Sequence, residues 1–382
     1  MKRLLPLLLL LLLLTAARAE EARNITARCH LSSPHNSAAV KDAYDGDDYS
    51  VWGCPGSAFL RFTVPQGETV HGVYLKWGQE VLPWHILCEE NGTIAVKGGA
   101  GGYAHEYAPC ALSAGNYLLQ LTDPKDEDRL RIREIALYTA GDLPGTVQQW
   151  QEAPDKVDLL VLPAHPDDEL LYFGGTLPRY AGEEKKTVLV AYATYSSYVR
   201  RTELLNALWH CGVRLYPVLG PFEDLKRDTA EELYALWGQE ALLSFYTDLL
   251  LACRPEVIAT HDLNGEYGHG AHKAVAATVL KAVSDAASGS EIPCPQAPWQ
   301  VKKVYFHLYE NQSRLMDWSV PLASFGGKTA YKVAAAAYKF HVTQQKAFTM
   351  KPDGRYSCRR FGLAFSAVGD DVRMDDFFEN IP

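Results

Sequence analysis

The chain has 382 residues, 47% hydrophobic and 22% charged, with 29 Gly and 21 Pro, a composition that excludes disordered, collagenous and coiled-coil classes. Its formal charge of −9 disfavours nucleic acid or an anionic membrane as partner, because neutralising phosphates takes clustered Lys and Arg. Lys2 and Arg3, the apolar run Leu4–Leu14 and Ala17-Arg18-Ala19 have the layout of a cleavable secretory signal over residues 1–19, which places the product outside the cell. That run is shorter than the ~20 residues of a membrane span, and no second long apolar run follows, so no transmembrane segment is expected after cleavage.

About 360 residues then remain, enough for two domains with separate cores. Residues 20–143 contain short strand-like stretches between turn residues: Phe59–Val64, Val70–Trp77, Trp84–Cys88, Tyr117–Leu121 and Leu130–Tyr138. With no helical stripe among them, they predict an all-β sandwich or jelly roll. Residues 144–156 are polar and turn-rich and read as a linker. From 157 to 382 buried strands alternate with helices: strands at Val157–Ala164, Thr187–Ala193, Arg214–Leu219 and Val257–Thr260, and helices at Glu169–Tyr180, Arg200–His210 and Glu240–Cys253. The fold class is therefore multidomain, an all-β unit followed by an α/β unit with a parallel sheet between helices, whose ligand site belongs at the carboxyl ends of the strands.

The eight cysteines divide four and four, Cys29, Cys54, Cys88 and Cys110 against Cys211, Cys253, Cys294 and Cys358. An even count in an exported chain predicts disulfides within each set. No CxxC pair occurs, which argues against a thiolate zinc site. The sequons at Asn24, Asn91 and Asn311 fit export.

Two polar clusters follow strands of the α/β unit: Ala164-His165-Pro166-Asp167-Asp168-Glu169 and His261-Asp262-Leu263-Asn264-Gly265-Glu266-Tyr267-Gly268-His269-Gly270-Ala271-His272. A strand-end histidine and an aspartate three residues later can face one cation. His269 and His272 share a face at the start of a helix near Gly270, and one or both reach the same point. Two imidazoles and a carboxylate leave a position for water, the mark of a catalytic zinc site. Asp167 is left over as general base, and His269 as a stabiliser of the oxyanion formed during amide hydrolysis. The same donor set also suits ferrous iron or another divalent ion.

The AHPDDE and GHGAH segments, the Arg200-Arg201-Thr202-Glu203 helix start and Ala337-Tyr338-Lys339-Phe340-His341-Val342-Thr343-Gln344 resemble the LmbE-like or PIG-L family of zinc-dependent N-acetylglucosamine deacetylases over residues 157–382. The resemblance implies a Rossmann-like three-layer (αβα) fold. It makes His165, Asp168 and His272 the zinc ligands, Asp167 the general base and His269 the transition-state stabiliser, with Arg200, next to Arg201, contacting substrate. Gly270-Ala271 departs from the Pro-Asp that often separates the family's histidines, which puts the tuning of the site in question rather than its ligands. Glu169 reads as a helix-start residue or as one that supports the ligands from behind, rather than as a ligand itself.

In the first unit, Asp45-Gly46-Asp47-Asp48-Tyr49-Ser50-Val51-Trp52, Val73–Trp77 and Ile132–Tyr138 resemble a discoidin-like (coagulation-factor type C) domain. That resemblance implies a structural Ca²⁺ on Asp45, Asp48, Ser50 and Glu134; the alternative is an ordinary Asp/Gly turn with Trp52 in the core. Trp84 or His85 are candidates for stacking on sugar, against burial in the core. The expectation is a secreted zinc-dependent deacetylase of an N-acetylated amino sugar, with a carbohydrate or glycoconjugate as partner. The alternatives are an amidase for a larger acyl group, an iron oxygenase and an inactive glycan-binding protein.

Overall fold

A computed structural model of the chain describes residues 20–195, 197–289, 297–373 and 375–382. The signal-like segment 1–19 and Cys294 lie outside the described residues.

Among the described residues, nine strands precede residue 140. β1 (His30–Ser32), β3 (Phe59–Val64), β8 (Gly115–Leu121), β5 (Trp84–Cys88) and β6 (Ile94–Gly98) form one sheet in that order. β2 (Trp52–Pro55), β9 (Arg129–Tyr138), β4 (Val70–Trp77) and β7 (His105–Leu112) form a second. All pairings in both are antiparallel. Along β3, Leu60, Phe62 and Val64 are buried while the residues between them are half-buried, the period-2 pattern of a sheet with one face on a core. Trp52 and Trp77 are buried in that core. So is Trp84, whose Nε1 donates to Glu106 Oε2 at 2.8 Å, and a ring so placed offers no face to a sugar. His85 is half-buried with Nδ1 2.9 Å from Thr122 Oγ1.

The sheet of the α/β unit runs β12 (Val218–Phe222), β11 (Val188–Thr194), β10 (Leu159–Leu162), β13 (Val257–Thr260), β14 (Lys303–His307), β18 (Arg360–Ser366) and β15 (Ser313–Leu315). The first five are parallel and the last two antiparallel additions. Successive residues of β10 enter opposite layers. Leu160 and Leu162 pack with α3 (Ala230–Trp237), α4 (Gln239–Cys253) and α5 (Gly270–Ser288). Leu159 and Val161 pack with α1 (Asp168–Leu171), α2 (Tyr198–His210) and α6 (Ala330–Tyr338). This is a Rossmann-like three-layer arrangement, and its strand order reverses between β10 and β13, where crevices form. A minor hairpin joins β16 (Pro321–Leu322) to β17 (Lys328–Thr329). Among the described residues no helix is long and apolar enough to cross a membrane.

The helix expected over Glu169–Tyr180 is interrupted at Gly174, which takes φ +51°, and divides into α1 and a wider helical turn over Pro178–Glu183. The disulfide expectation is corrected for the described residues. Cys29, Cys54, Cys88, Cys110, Cys211, Cys253 and Cys358 are all free. Most act as small buried apolar groups, and burial pushes the Cys54 thiol up to about 11.

The β-sandwich packs on α2. Tyr103 and Tyr216 have ring centroids 4.7 Å apart, and Trp150 meets Trp209 at 5.3 Å and Tyr216 at 5.7 Å, both edge-on. One apolar cluster runs from the sandwich interior to the α1–α2–α6 layer.

Candidate active site

β10 ends at Leu162, and the chain turns through Pro163 and Ala164 into His165 and α1. β13 ends beside it at Thr260 and leads through His261 to α5. The two clusters thus meet at one sheet edge. His165 Nδ1 lies 3.0 Å from Asp168 Oδ2, which also accepts the His165 backbone N–H at 2.8 Å. His272 Nε2 is 3.4 Å from the same oxygen. The His165 ring is 4.8 Å from His269 and 5.3 Å from His272.

Two trios bring ligand atoms within 4.8 Å of one another: His165, His269 and His272, and Asp168, His261 and His272. Hydrogen bonds sort them. His261 is fully used, since its Nε2 accepts the Ala164 N–H at 2.9 Å and its Nδ1 donates to Glu266 at 2.9 Å. His272 also gives Nδ1–H to Glu266, at 2.7 Å, which leaves an Nε2 lone pair facing the site. Nε2 of His165 and Nε2 of His272 are buried with no hydrogen-bond partner. Such orphaned acceptors beside a carboxylate fit a divalent cation.

The charges agree. Burial resists ionisation of Asp168, but His272, His165 and His261 outweigh it and hold its carboxyl well below the usual range. Burial likewise opposes a proton on His272, yet Asp168 and Glu266 push it up to about 10; a cation at Nε2 would displace that proton. Asp167 is moved the other way, well above its ordinary value, by burial and the Asp168 charge, with Arg200 opposing. His269 is pulled down to about 3 by burial and by His165 and His272. Its Nδ1 accepts the Ala271 N–H at 3.2 Å, so the neutral ring carries its proton on Nε2.

Arg200 opens α2, where the Ser197 side chain caps the helix by accepting the Arg200 N–H. Its guanidinium donates to Asp224 Oδ2 at 2.8 Å, to Asp167 Oδ1 at 3.3 Å and to the Pro166 carbonyl. Arg201 faces away, donating to Glu80 at 3.3 Å and lying over the rings of Tyr195 and Tyr198. Arg200, Asp224, Asp167, Asp168, His165 and His269 line a cavity of 460 Å³ together with Tyr267, Gln344 and Phe348.

The Gly270-Ala271 departure has a steric cause. Gly270 donates its N–H to the Arg227 carbonyl at 2.8 Å, and a Cβ there would meet the Thr229 carbonyl oxygen at 2.5 Å; proline supplies neither the donor nor the space. Ala271 is fully buried in the core between the sheet and α3–α5.

Four contributors escaped the sequence reading. Glu266 gathers Nδ1 of His261, His272 and His307, the last at 2.5 Å. His307 ends β14 and contacts the Ser357 carbonyl at 2.9 Å through Nε2. His341 Nε2 binds Glu169 at 2.7 Å. Asp224 comes 3.6 Å from His165 Nε2. Asp224 and His307 sit at or just past strand ends, which is the signal that would have found them.

The calcium set drawn from Asp45, Asp48, Ser50 and Glu134 fails at Asp48. Its carboxylate accepts from Lys76 Nζ at 2.6 and 2.9 Å and from Asn206 Nδ2 at 2.7 Å. Ser50 Oγ contacts Asp45 Oδ1 at 3.0 Å, and Glu134 accepts the Gly46 N–H at 2.8 Å.

Residues 160–283 match the family model "PIG-L: GlcNAc-PI de-N-acetylase". The PIG-L-like segment contains His165, Asp167, Asp168, Arg200, His261, Glu266, His269 and His272. The chain is 31% identical over 180 residues to a 1D-myo-inositol 2-acetamido-2-deoxy-alpha-D-glucopyranoside deacetylase of Rhodococcus jostii, covering 40% of this chain and 61% of the relative. It is 30% identical over 174 residues to a protein of the same description, numbered 2, from Saccharopolyspora erythraea, covering 38% and 64%. The chain thus spans about six-tenths of the length of these relatives. The structure of N,N'-diacetylchitobiose deacetylase from Pyrococcus horikoshii aligns at 16% identity and a TM-score of 0.37, covering 50% of this chain and 71% of that one.

Proposed function

We propose that the chain is an exported, zinc-dependent hydrolase that removes the acetyl group from an N-acetylated amino sugar. The observation that carries this reading is the pair of buried, partnerless Nε2 atoms of His165 and His272 beside ionised Asp168, with Asp167 adjacent and unclaimed as a ligand. The PIG-L-like segment and the deacetylases to which it is similar support it.

His165, Asp168 and His272 would hold the ion, and His269 lies at its margin. The bound ion would supply electrostatic activation of water and of the amide carbonyl. Asp167 takes the proton of the attacking water on its carboxylate. Arg200 fixes that carboxylate from one side and lines the cavity. His269, protonated on Nε2, donates to the oxygen that gains charge as the carbonyl is attacked. Asp167 then returns its proton to the leaving amine, which closes the cycle. Tyr267 and Phe348, stacked with centroids 5.5 Å apart, give the cavity an apolar wall for a pyranose face.

The test is acetate release from N-acetylglucosamine and N-acetylgalactosamine glycosides by zinc-loaded protein. Acetate release that stops on chelation and returns with zinc supports the reading. Bound zinc with no acetate from any such substrate overturns it.

A further inference from the structure

The loop Asp45–Ser50 is engaged with the helix that carries Arg200. Asp48 Oδ2 accepts from Asn206 Nδ2 at 2.7 Å, and the Tyr49 hydroxyl donates to Glu203 Oε1 at 2.9 Å. Arg200, Glu203 and Asn206 follow one another at intervals of three along α2 and so lie along neighbouring turns of one face. Glu80, also in the sandwich, accepts from Arg201 at 3.3 Å and from Tyr198 at 3.4 Å in the first turn.

Glu203 is 2% exposed and holds a third element. Its Oε1 also accepts the Thr343 N–H at 2.9 Å, and its Oε2 accepts the Thr343 hydroxyl at 2.6 Å. Gln344, the next residue, and Phe348 beyond it line the 460 Å³ cavity opposite Arg200. One buried carboxylate therefore ties a sandwich loop to two walls of the substrate cavity.

We propose that Tyr49 and Glu203 are positioning residues through which the sandwich sets the reach of Arg200 toward substrate. This rests on the hydrolase reading above for its kinetic arm, but not for its structural one. Glu203 is saturated by three donors from two separate segments, so withdrawing the Tyr49 hydroxyl leaves Thr343 as its remaining tether and loosens the hold of the sandwich on α2 to the contacts of Glu80 and Asp48. Displacements of about 1 Å at a substrate-contacting group cost up to about a hundredfold in rate.

The variant to make is Tyr49→Phe, which keeps the ring and removes one donor from a half-exposed side chain. In zinc-loaded full-length protein we expect unchanged zinc content, faster hydrogen exchange at the amides of residues 198–203 and 343, and kcat/KM lower by roughly tenfold. In an Arg200→Lys background the same change should have little further kinetic effect, because it acts through Arg200. Thr343→Ser should keep activity that Thr343→Val loses. Unchanged exchange in Tyr49→Phe overturns the proposal, and so do additive kinetic effects of the two substitutions. If the parent releases no acetate from any substrate, the hydrolase reading fails while the exchange result still decides the positioning role.

Discussion

Asp167 donates its backbone N–H to the carboxylate of Glu169, two residues ahead, at 2.8 Å while holding φ at +126°. A non-glycine residue in that region costs of order 1–3 kcal/mol and persists only where its surroundings hold it. The other Glu169 oxygen is bound to His341, which anchors the clamp to the segment after α6. Glu169→Ala should therefore lower kcat by about ten- to a hundredfold with zinc retained. Steady-state kinetics with metal analysis checks this, and loss of zinc would mean that Glu169 supports Asp168 instead.

The division of labour between neighbouring aspartates and histidines gives a second expectation. Asp167→Asn should keep zinc and lose at least about a hundredfold in turnover, whereas His165→Ala and His272→Ala should lose the metal. His269→Ala should reduce turnover more than zinc content. Zinc loss in His269→Ala but not in His272→Ala would exchange their roles.

Glu266 orients three imidazoles at once, and burial, which opposes its charge, is outweighed by His261 and by hydrogen bonds from all three, so its carboxyl sits well below its ordinary value. Glu266→Gln replaces one acceptor oxygen with a donor and cannot serve all three rings. Zinc affinity should fall by about ten- to a hundredfold, read by competition with a chromophoric chelator.

His105 supplies a pH dependence away from the metal. It is fully buried with Nδ1 2.7 Å from Gln148 Oε1, and burial and Lys76 pull it down from 6.5 to about 3. The unfolded chain takes up this proton as pH falls through 6.5 while the folded chain resists until about 3. The neutral ring therefore costs stability progressively on the acid side of 6.5. His105→Gln should be less stable near neutrality but flatter below it, as melting temperature against pH would show.

The candidate site was legible because His165, Asp167, Asp168, His269 and His272 sit in two short motifs at strand ends that the fold brings together, and β3, β4, β5 and β13 begin and end where alternation and turn residues place them. β12 was read four residues early. Arg214–Pro217 stays outside the sheet, since Pro217 has no N–H for a ladder and Leu215 makes an isolated bridge to Gln151. The calcium assignment failed because the acidic loop carries no mark of its pairing with Lys76 and Asn206, residues 28 and 158 positions away. Glu266 and His341 lay inside segments already singled out, yet their function depends on partners, His307 and Glu169, that only the folded chain brings near.

The aromatic seam formed by Tyr103, Trp150, Trp209 and Tyr216 makes the amino-terminal half a poor candidate for cassette exchange. A shortened protein beginning at β10 would bare Trp209 and Tyr216 to water and tend toward aggregation. A foreign lectin grafted in its place would have to rebuild the seam before it could deliver any new specificity.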